Sequence, residues 1–321
     1  CTSHGLPDTL TFKEIPTPTP ASDEILISVR ACGINFPDLL FIQNKYQAKP
    51  PLPFSPGGEV SGVVESVGEN VNHIKVGDKV IALCRWGGLA EQVIAKSHLV
   101  FPLPNSVDFV SGATTLYAYG TSYHALKDRA RLQQGEILLV LGAASGVGLA
   151  AIELGKNIGA KVIAAASTIE KLKVCLEKGA DYTINYSNED LRNRIKEMAG
   201  EKGVDVVYDA VGGKFSEPTL RSMAWGGRYL VVGFASGEIP SFPANLALLK
   251  GCSIVGVFWS AFSEWEPEKS NQNFKELLEW MKLGKIKQHI HKVYPFESSA
   301  QALQDLMDRK IIGKAVVHVK S

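Results

Sequence analysis

Residues 135–156, GEILLVLGAASGVGLAAIELGK, constrain the fold of this chain more than any other stretch. The apolar run Ile137 to Leu141 meets a Gly/Ala/Ser turn, Gly142 to Gly148, and leaves as a helix. A strand that stops at such a turn and restarts as a helix points backbone N–H groups and a positive helix end at one spot. That spot suits a pyrophosphate. The G-x-G-x-x-G spacing is degenerate, with Ala143 and Ser145 at its first two glycine places and Gly148 at the third. Small residues also ease ordinary strand–helix packing, so the segments that follow must decide.

Those segments alternate. Strands are expected at Lys161 to Ala165, Tyr182 to Tyr186, Val204 to Asp209, Arg228 to Val232 and Ser253 to Phe258. Helices are expected from near Ser167, over Asn188 to Met198, over Phe215 to Met223 and over Asn245 to Leu249. Six short β-branched strands separated by helices predict an α/β fold, a doubly wound parallel sheet covered on both faces. The turn at 142–148 is therefore read as a dinucleotide site.

Selective binding of NAD usually places an acid at the end of the second strand, where it receives the ribose 2′-OH. Here that strand ends Ala164-Ala165-Ala166-Ser167, with no carboxylate before Glu170. Ser167 and Lys171, one helical turn on, would favour a 2′-phosphate instead. The expected cofactor is NADPH. Ser167 as a helix cap and Lys171 as a solvated charge are compatible with that role.

Before residue 120 the texture changes. Pro and Gly cluster at Ile15 to Pro20 and Pro50 to Gly58, and short strands are expected at Ile25 to Ala31, Val60 to Val67, Lys79 to Leu83 and Ala90 to Ala95. Such spacing predicts an irregular antiparallel β-domain. The tail adds helices at Asn273 to Leu283 and Ser299 to Arg309 and a strand at Ala315 to Val319, which is expected to return to that first domain. The expected layout is a β-rich catalytic domain from 1–122 and 261–321 and a nucleotide domain from 123–260. Ligands would meet in the cleft between them.

The 321 residues carry 34 Lys and Arg against 33 Asp and Glu, with no basic block, so a nucleic-acid footprint is absent. No apolar run reaches the ~20 residues of a membrane span. Five scattered cysteines without a C-x-x-C pair favour a reducing compartment over a disulfide framework or cysteine-based zinc site. A cytoplasmic location is expected, with the mitochondrial matrix as the alternative. Cys1 is an unusual first residue, and the native start is expected to lie upstream.

Five ordered motifs complete the reading: Cys32-Gly33-Ile34-Asn35-Phe36-Pro37-Asp38, Pro53-Phe54-Ser55-Pro56-Gly57-Gly58-Glu59-Val60-Ser61-Gly62, Val76-Gly77-Asp78-Lys79-Val80, Ala118-Tyr119-Gly120-Thr121-Ser122-Tyr123-His124-Ala125-Leu126, and the 135–156 segment. Together they resemble the medium-chain dehydrogenase/reductase superfamily in its zinc-free quinone oxidoreductase (zeta-crystallin-like) branch. The resemblance implies a Rossmann domain with a GroES-like catalytic domain, NADPH, and reduction of quinones or α,β-unsaturated carbonyls. It also implies that Ser145, Gly146 and Val147 lie on the pyrophosphate turn, with Ser167 and Lys171 at the 2′-phosphate and Tyr186 beside the adenosine ribose. Gly233, Phe234, Ala235, Phe258 and Trp259 would border the nicotinamide, although the two aromatics equally suit a core. Thr121 would approach from the opposite domain, and Lys314 would reach a phosphate.

Zinc-dependent members of the superfamily place metal ligands where this chain has Asn35, Gly58 and Tyr117, none of them a normal zinc ligand. No catalytic metal is expected. Hydrogen-bond donors must then polarise an electron-poor acceptor. Asn35 is the candidate donor, with Tyr46 at the cleft mouth, while a turn role for Asn35 competes. The chain departs from the branch at Ser145 for a glycine, Glu153 for a Gln (too far along the helix for its charge to matter) and Phe41 for a cleft tyrosine. The alternatives are a 2-enal or 2-enone reductase without quinone activity and a non-catalytic NADPH-binding sensor. The uncharged strand Ser253 to Phe258, expected at a sheet edge, predicts a homodimer.

Overall fold

Each β-branched run read from the sequence becomes a strand in the computed structural model, which describes residues 1–319. In chain order these are β1 (Glu24–Ile34), β2 (Glu59–Val67), β3 (Lys79–Leu83), β4 (Gln92–Lys96), β5 (Val100–Pro102), β6 (Ile137–Leu141), β7 (Lys161–Ala166), β8 (Tyr182–Asn185), β9 (Val204–Asp209), β10 (Met223–Val231), β11 (Ser253–Gly256), β12 (Ile290–Pro295) and β13 (Lys314–His318). They divide between two units, Cys1–Tyr117 with the chain from Lys287 onward, and Ala118–Ile286.

The first unit holds one seven-stranded sheet in the order β12-β13-β1-β2-β3-β5, with β4 also paired to β1. Its pairings are antiparallel except β12 with β13. The final strand thus returns to the first sheet and lies beside β1, aligning Val317 with Cys32 and Ala315 with Ile34. Ile25, Ile27, Val29, Val60, Val80, Phe41, Tyr294, Leu303 and Val317 share one core. Burying each such side chain contributes roughly 1.5–3 kcal/mol, so both chain ends stabilise the same sheet.

The second unit is a parallel sheet in the order β11-β10-β9-β6-β7-β8. β6 and β9 lie at its centre and are buried on both faces, as a doubly covered sheet requires. Leu139, Leu141, Ile163, Ala165, Val207 and Tyr229 belong to its core. The order reverses between β6 and β9, the switch point outside whose strand ends ligands bind in such sheets.

Several boundaries differ from the expected ones. The units part near residues 117 and 286 rather than 122 and 260. Helix Leu116–Tyr123 runs on as a π-helical turn, His124–Arg129, and Lys127 bonds Asn273 and Glu276 on helix Pro267–Lys282. Trp259, opening helix Trp259–Trp265, packs edge-on against Phe274. These helices share buried faces with one another, which no strand periodicity could announce. The Phe215 to Met223 helix is shorter, Ser216–Arg221, because Met223 already opens β10. The 253–258 strand ends at Gly256.

Candidate functional site

The turn after β6 has the geometry its sequence required. Gly142 adopts φ +68°, and Ala143 and Ala144 are buried beneath it. Ser145 caps helix Gly146–Ile158, its Oγ accepting the Gly148 N–H at 3.1 Å. That bond leaves the hydroxyl proton for a phosphate oxygen. Gly146 and Val147 open the helix, where N–H groups lack intrahelical acceptors. Gly148 is the close-approach position: a Cβ there would lie 2.4 Å from the Gly142 carbonyl oxygen and 2.6 Å from that of Ala143. Ser122 Oγ donates to the Val147 carbonyl at 2.8 Å and meets the Tyr208 hydroxyl at 2.9 Å, fixing the start of the helix. Neighbouring Thr121 therefore belongs to the same unit as the turn, not to the opposite one as expected.

At the end of β7, Lys171 Nζ stands 3.4 Å from Ser167 Oγ. Thr168, rather than Ser167, caps helix Ile169–Glu177 by accepting the Lys171 N–H, which leaves the Ser167 hydroxyl beside the ammonium. Tyr186 stacks at a tilt on Phe215, with centroids 4.5 Å apart. Donor chemistry and an absent strand-end acid fit a 2′-phosphorylated dinucleotide.

The segment after β10 continues the ladder beyond the strand. Val232 and Gly233 N–H donate to the Asp209 carbonyl, Ala235 N–H to that of Ala210 and Ser236 N–H to that of Val211. Phe234 is exposed. Phe258 is 53% exposed whereas Trp259 is 6% exposed, so the second aromatic is a core residue and only the first is open to a ligand.

In the first unit a different set converges. Asn35 precedes helix Phe36–Ile42, and its backbone N–H is capped by Asp38 Oδ2 at 2.8 Å. The Asn35 amide donates to the Gly33 carbonyl at 3.2 Å and to Glu59 Oε2 at 3.1 Å, and its Oδ1 accepts Lys314 Nζ at 2.5 Å. Glu59 Oε1 accepts the Tyr117 N–H at 3.0 Å. Lys314 Nζ lies 3.5 Å from Glu59 Oε2 and donates to the Ile34 carbonyl at 3.1 Å. Glu59 is fully buried, Asp38 and Lys314 nearly so. Asn35 and Tyr117 thus both donate to a buried carboxylate whose counter-ion is an ammonium.

Two expectations are corrected here. Lys314 is not directed at a phosphate; it is held inside the first unit by Glu59, Asn35 and Ile34. Asn35 has both amide protons committed to protein acceptors, so it offers no donor to a carbonyl in this arrangement. Tyr46 is half-buried, its ring edge-on to buried Phe41 at 4.7 Å, and Phe41 meets Trp86 at 5.9 Å. The Phe41 ring is thus core packing.

Burial pushes Asp38 up to about 6, while the N–H groups of Asn35 and Gly57 and the Lys314 charge hold it back. Burial also raises Glu59. A carboxyl raised on folding contributes stability that is complete below its ordinary value and lost as pH rises through the folded value. The stability difference between wild type and Asp38→Asn is therefore expected to turn against wild type as pH rises from 3.8 to about 6. Urea unfolding at stepped pH measures it, and a flat difference would refute the assignment.

The sequence alone assigns no role to Glu59 or Asp209 and a minor one to Glu153. Glu153 accepts the Tyr119 hydroxyl and pairs with Lys178 at 3.0 Å, with both charges largely buried, so its charge is structurally engaged. The available signal was a lone acid inside or at the end of an apolar run, as in Glu59-Val60-Ser61-Gly62-Val63-Val64 and Val206-Val207-Tyr208-Asp209. Among the described residues no three His, Cys, Asp or Glu side chains gather as a metal site.

Both units match known protein families. A family model described as an alcohol dehydrogenase GroES-like domain matches residues 21–105, and one described as a zinc-binding dehydrogenase matches residues 146–282. Quinone oxidoreductase-like protein 2 homolog of Nematostella vectensis is 40% identical over 302 residues, covering 93% of this chain and 82% of its own. The quinone oxidoreductase of Homo sapiens is 35% identical over 305 residues, 94% and 91% of the two chains. The crystal structure of Escherichia coli quinone oxidoreductase complexed with NADPH superposes with a TM-score of 0.93 at 30% identity, covering 99% and 98%.

Proposed function

Because the chain belongs to the zinc-free quinone oxidoreductase branch of the medium-chain dehydrogenase/reductase superfamily, whose members are NAD(P)H-dependent oxidoreductases, we propose that it is a zinc-independent, NADPH-selective reductase of quinones or α,β-unsaturated carbonyls. The observation that carries the cofactor choice is the end of β7, where Ser167 and Lys171 converge at 3.4 Å and the strand itself ends without a carboxylate. When bound, the cofactor supplies hydride to an acceptor. Ser145, Gly146 and Val147 hold the pyrophosphate by hydroxyl, N–H and helix-end charge. Gly233, Phe234, Ala235 and Phe258 border the nicotinamide.

Asn35 and Lys314 spend their protons on protein oxygens, so neither is a strong donor to an acceptor. Such a site needs an acceptor already electron-poor, and quinones and conjugated enones meet that need while simple alcohols do not. The same feature favours the non-catalytic sensor as the second reading. We expect NADPH oxidation with benzoquinone, phenanthrenequinone or a short 2-enone to persist after EDTA treatment and to exceed that with NADH. Lys171→Ala is expected to weaken NADPH about tenfold and leave NADH nearly unchanged. NADPH binding without turnover would move the sensor to the front.

Among the described residues β11 is paired on one side only, by β10, and its Ile254 side chain is exposed. An open, uncharged edge pairs readily with its own copy, so the working assembly is taken as a homodimer.

A further inference from the structure

Asp209 ends β9 within the second unit, 3% exposed and with four donors. Oδ1 accepts the N–H groups of Val211 at 2.8 Å and Gly212 at 2.9 Å. Oδ2 accepts the hydroxyls of Ser216 at 2.9 Å and Tyr229 at 2.5 Å. A carboxylate so placed sets the direction of the peptide groups that follow it. The carbonyls of Ala210 and Val211 in turn receive the N–H groups of Ala235 and Ser236 at 3.1 and 2.9 Å. The other side of this short loop meets the phosphate turn, since a Cβ on Gly142 would lie 2.8 Å from Val211 Cγ2.

We propose that Asp209 is a positioning residue, which fixes the 210–212 loop between the phosphate turn and residues 233–236 and thereby sets the nicotinamide end of the cofactor site. The proposal rests on the NADPH reading above. Asp209 touches neither cofactor nor acceptor; it acts through the carbonyls of Ala210 and Val211. Ser167 and Lys171, at the adenosine end, bond each other, and the four donors to Asp209 include neither. The loss of Asp209 should therefore divide the two halves of the cofactor.

The experiment compares NADPH with adenosine 2′,5′-bisphosphate, which carries the adenosine end alone, by calorimetric titration of the full chain. For Asp209→Ala, which orphans four buried donors, NADPH is expected to bind about tenfold more weakly or worse, with the bisphosphate within about twofold of wild type. Asp209→Asn keeps one acceptor and the side-chain volume, and carries the test if the alanine variant does not fold. It should show the same split at smaller size. Ser216→Ala removes one donor from Oδ2 and leaves the Oδ1 turn intact, so both ligands should bind nearly as in wild type. Equal weakening of both ligands, or no weakening of NADPH, would overturn the proposal and leave Asp209 a general stabiliser. A wild-type protein that binds neither ligand would instead overturn the NADPH reading, and the proposal with it.

Discussion

Lys314→Met is expected to destabilise the protein by about 3–5 kcal/mol, the usual result of leaving one member of a buried ion pair alone. Lys314 Nζ lies 3.5 Å from Glu59 Oε2, and Glu59 has no exposed surface. The desolvation of Glu59 is at present offset by Lys314, by the Asn35 amide and by the Tyr117 N–H. Removing the ammonium strands the carboxylate and also leaves Asn35 Oδ1 without its donor. Lys314→Met with Glu59→Gln, which deletes both charges, is expected to recover more than half of the loss, because the penalty comes from the imbalance. Denaturant unfolding of the two variants measures this directly. A loss below about 1 kcal/mol for the single variant would place the pair among surface-like interactions and refute its structural weight.

Gly148→Val is expected to weaken NADPH binding by roughly tenfold or more, the loss expected when even one hydrogen bond to a charged phosphate is misaligned. The Cβ would run into two backbone oxygens, those of Gly142 and Ala143, and neither is the end of a flexible side chain. The helix must move away from β6, carrying with it the N–H groups of Gly146 and Val147 and the Ser145 hydroxyl. Even Gly148→Ala should show most of the effect, since the first added carbon makes the clash. Cofactor fluorescence titration, with a thermal melt to confirm the fold, tests it. Binding within threefold of wild type for the alanine variant would mean that the turn tolerates the displacement.

The strands and the phosphate turn were legible because each rests on local chemistry: a β-branched run has one good backbone conformation, and a Gly-rich junction has few. Helices Leu116–Tyr123 and Trp259–Trp265 were not legible for the opposite reason. Both are short, and their burial is set by partners distant in sequence, such as Trp259 against Phe274. At the site, Ser167 with Lys171 could be anticipated because they lie one turn apart on a single element. The cluster of Asn35, Glu59 and Lys314 could not, because it joins residues from β2, β13 and the loop after β1. From sequence alone a lysine opening a terminal strand looks like a hand held out to a ligand. Only the register of β13 beside β1 turns it inward.

That register has a consequence for how the protein is made. The sheet of the first unit places β13 between β1 and β12, yet β13 follows every other strand in chain order and is synthesised after them. The parallel sheet of the second unit lies wholly within 118–286 and can close as soon as that stretch is clear of the ribosome. The amino-terminal strands, made first, must wait, with the β1 edge that β13 will cover still open and Glu59 still without its cation. Of the two sheets, the one begun first is thus the last to be completed. A nascent chain halted just before Lys314 should bind the bisphosphate while its amino-terminal sheet remains open to proteases.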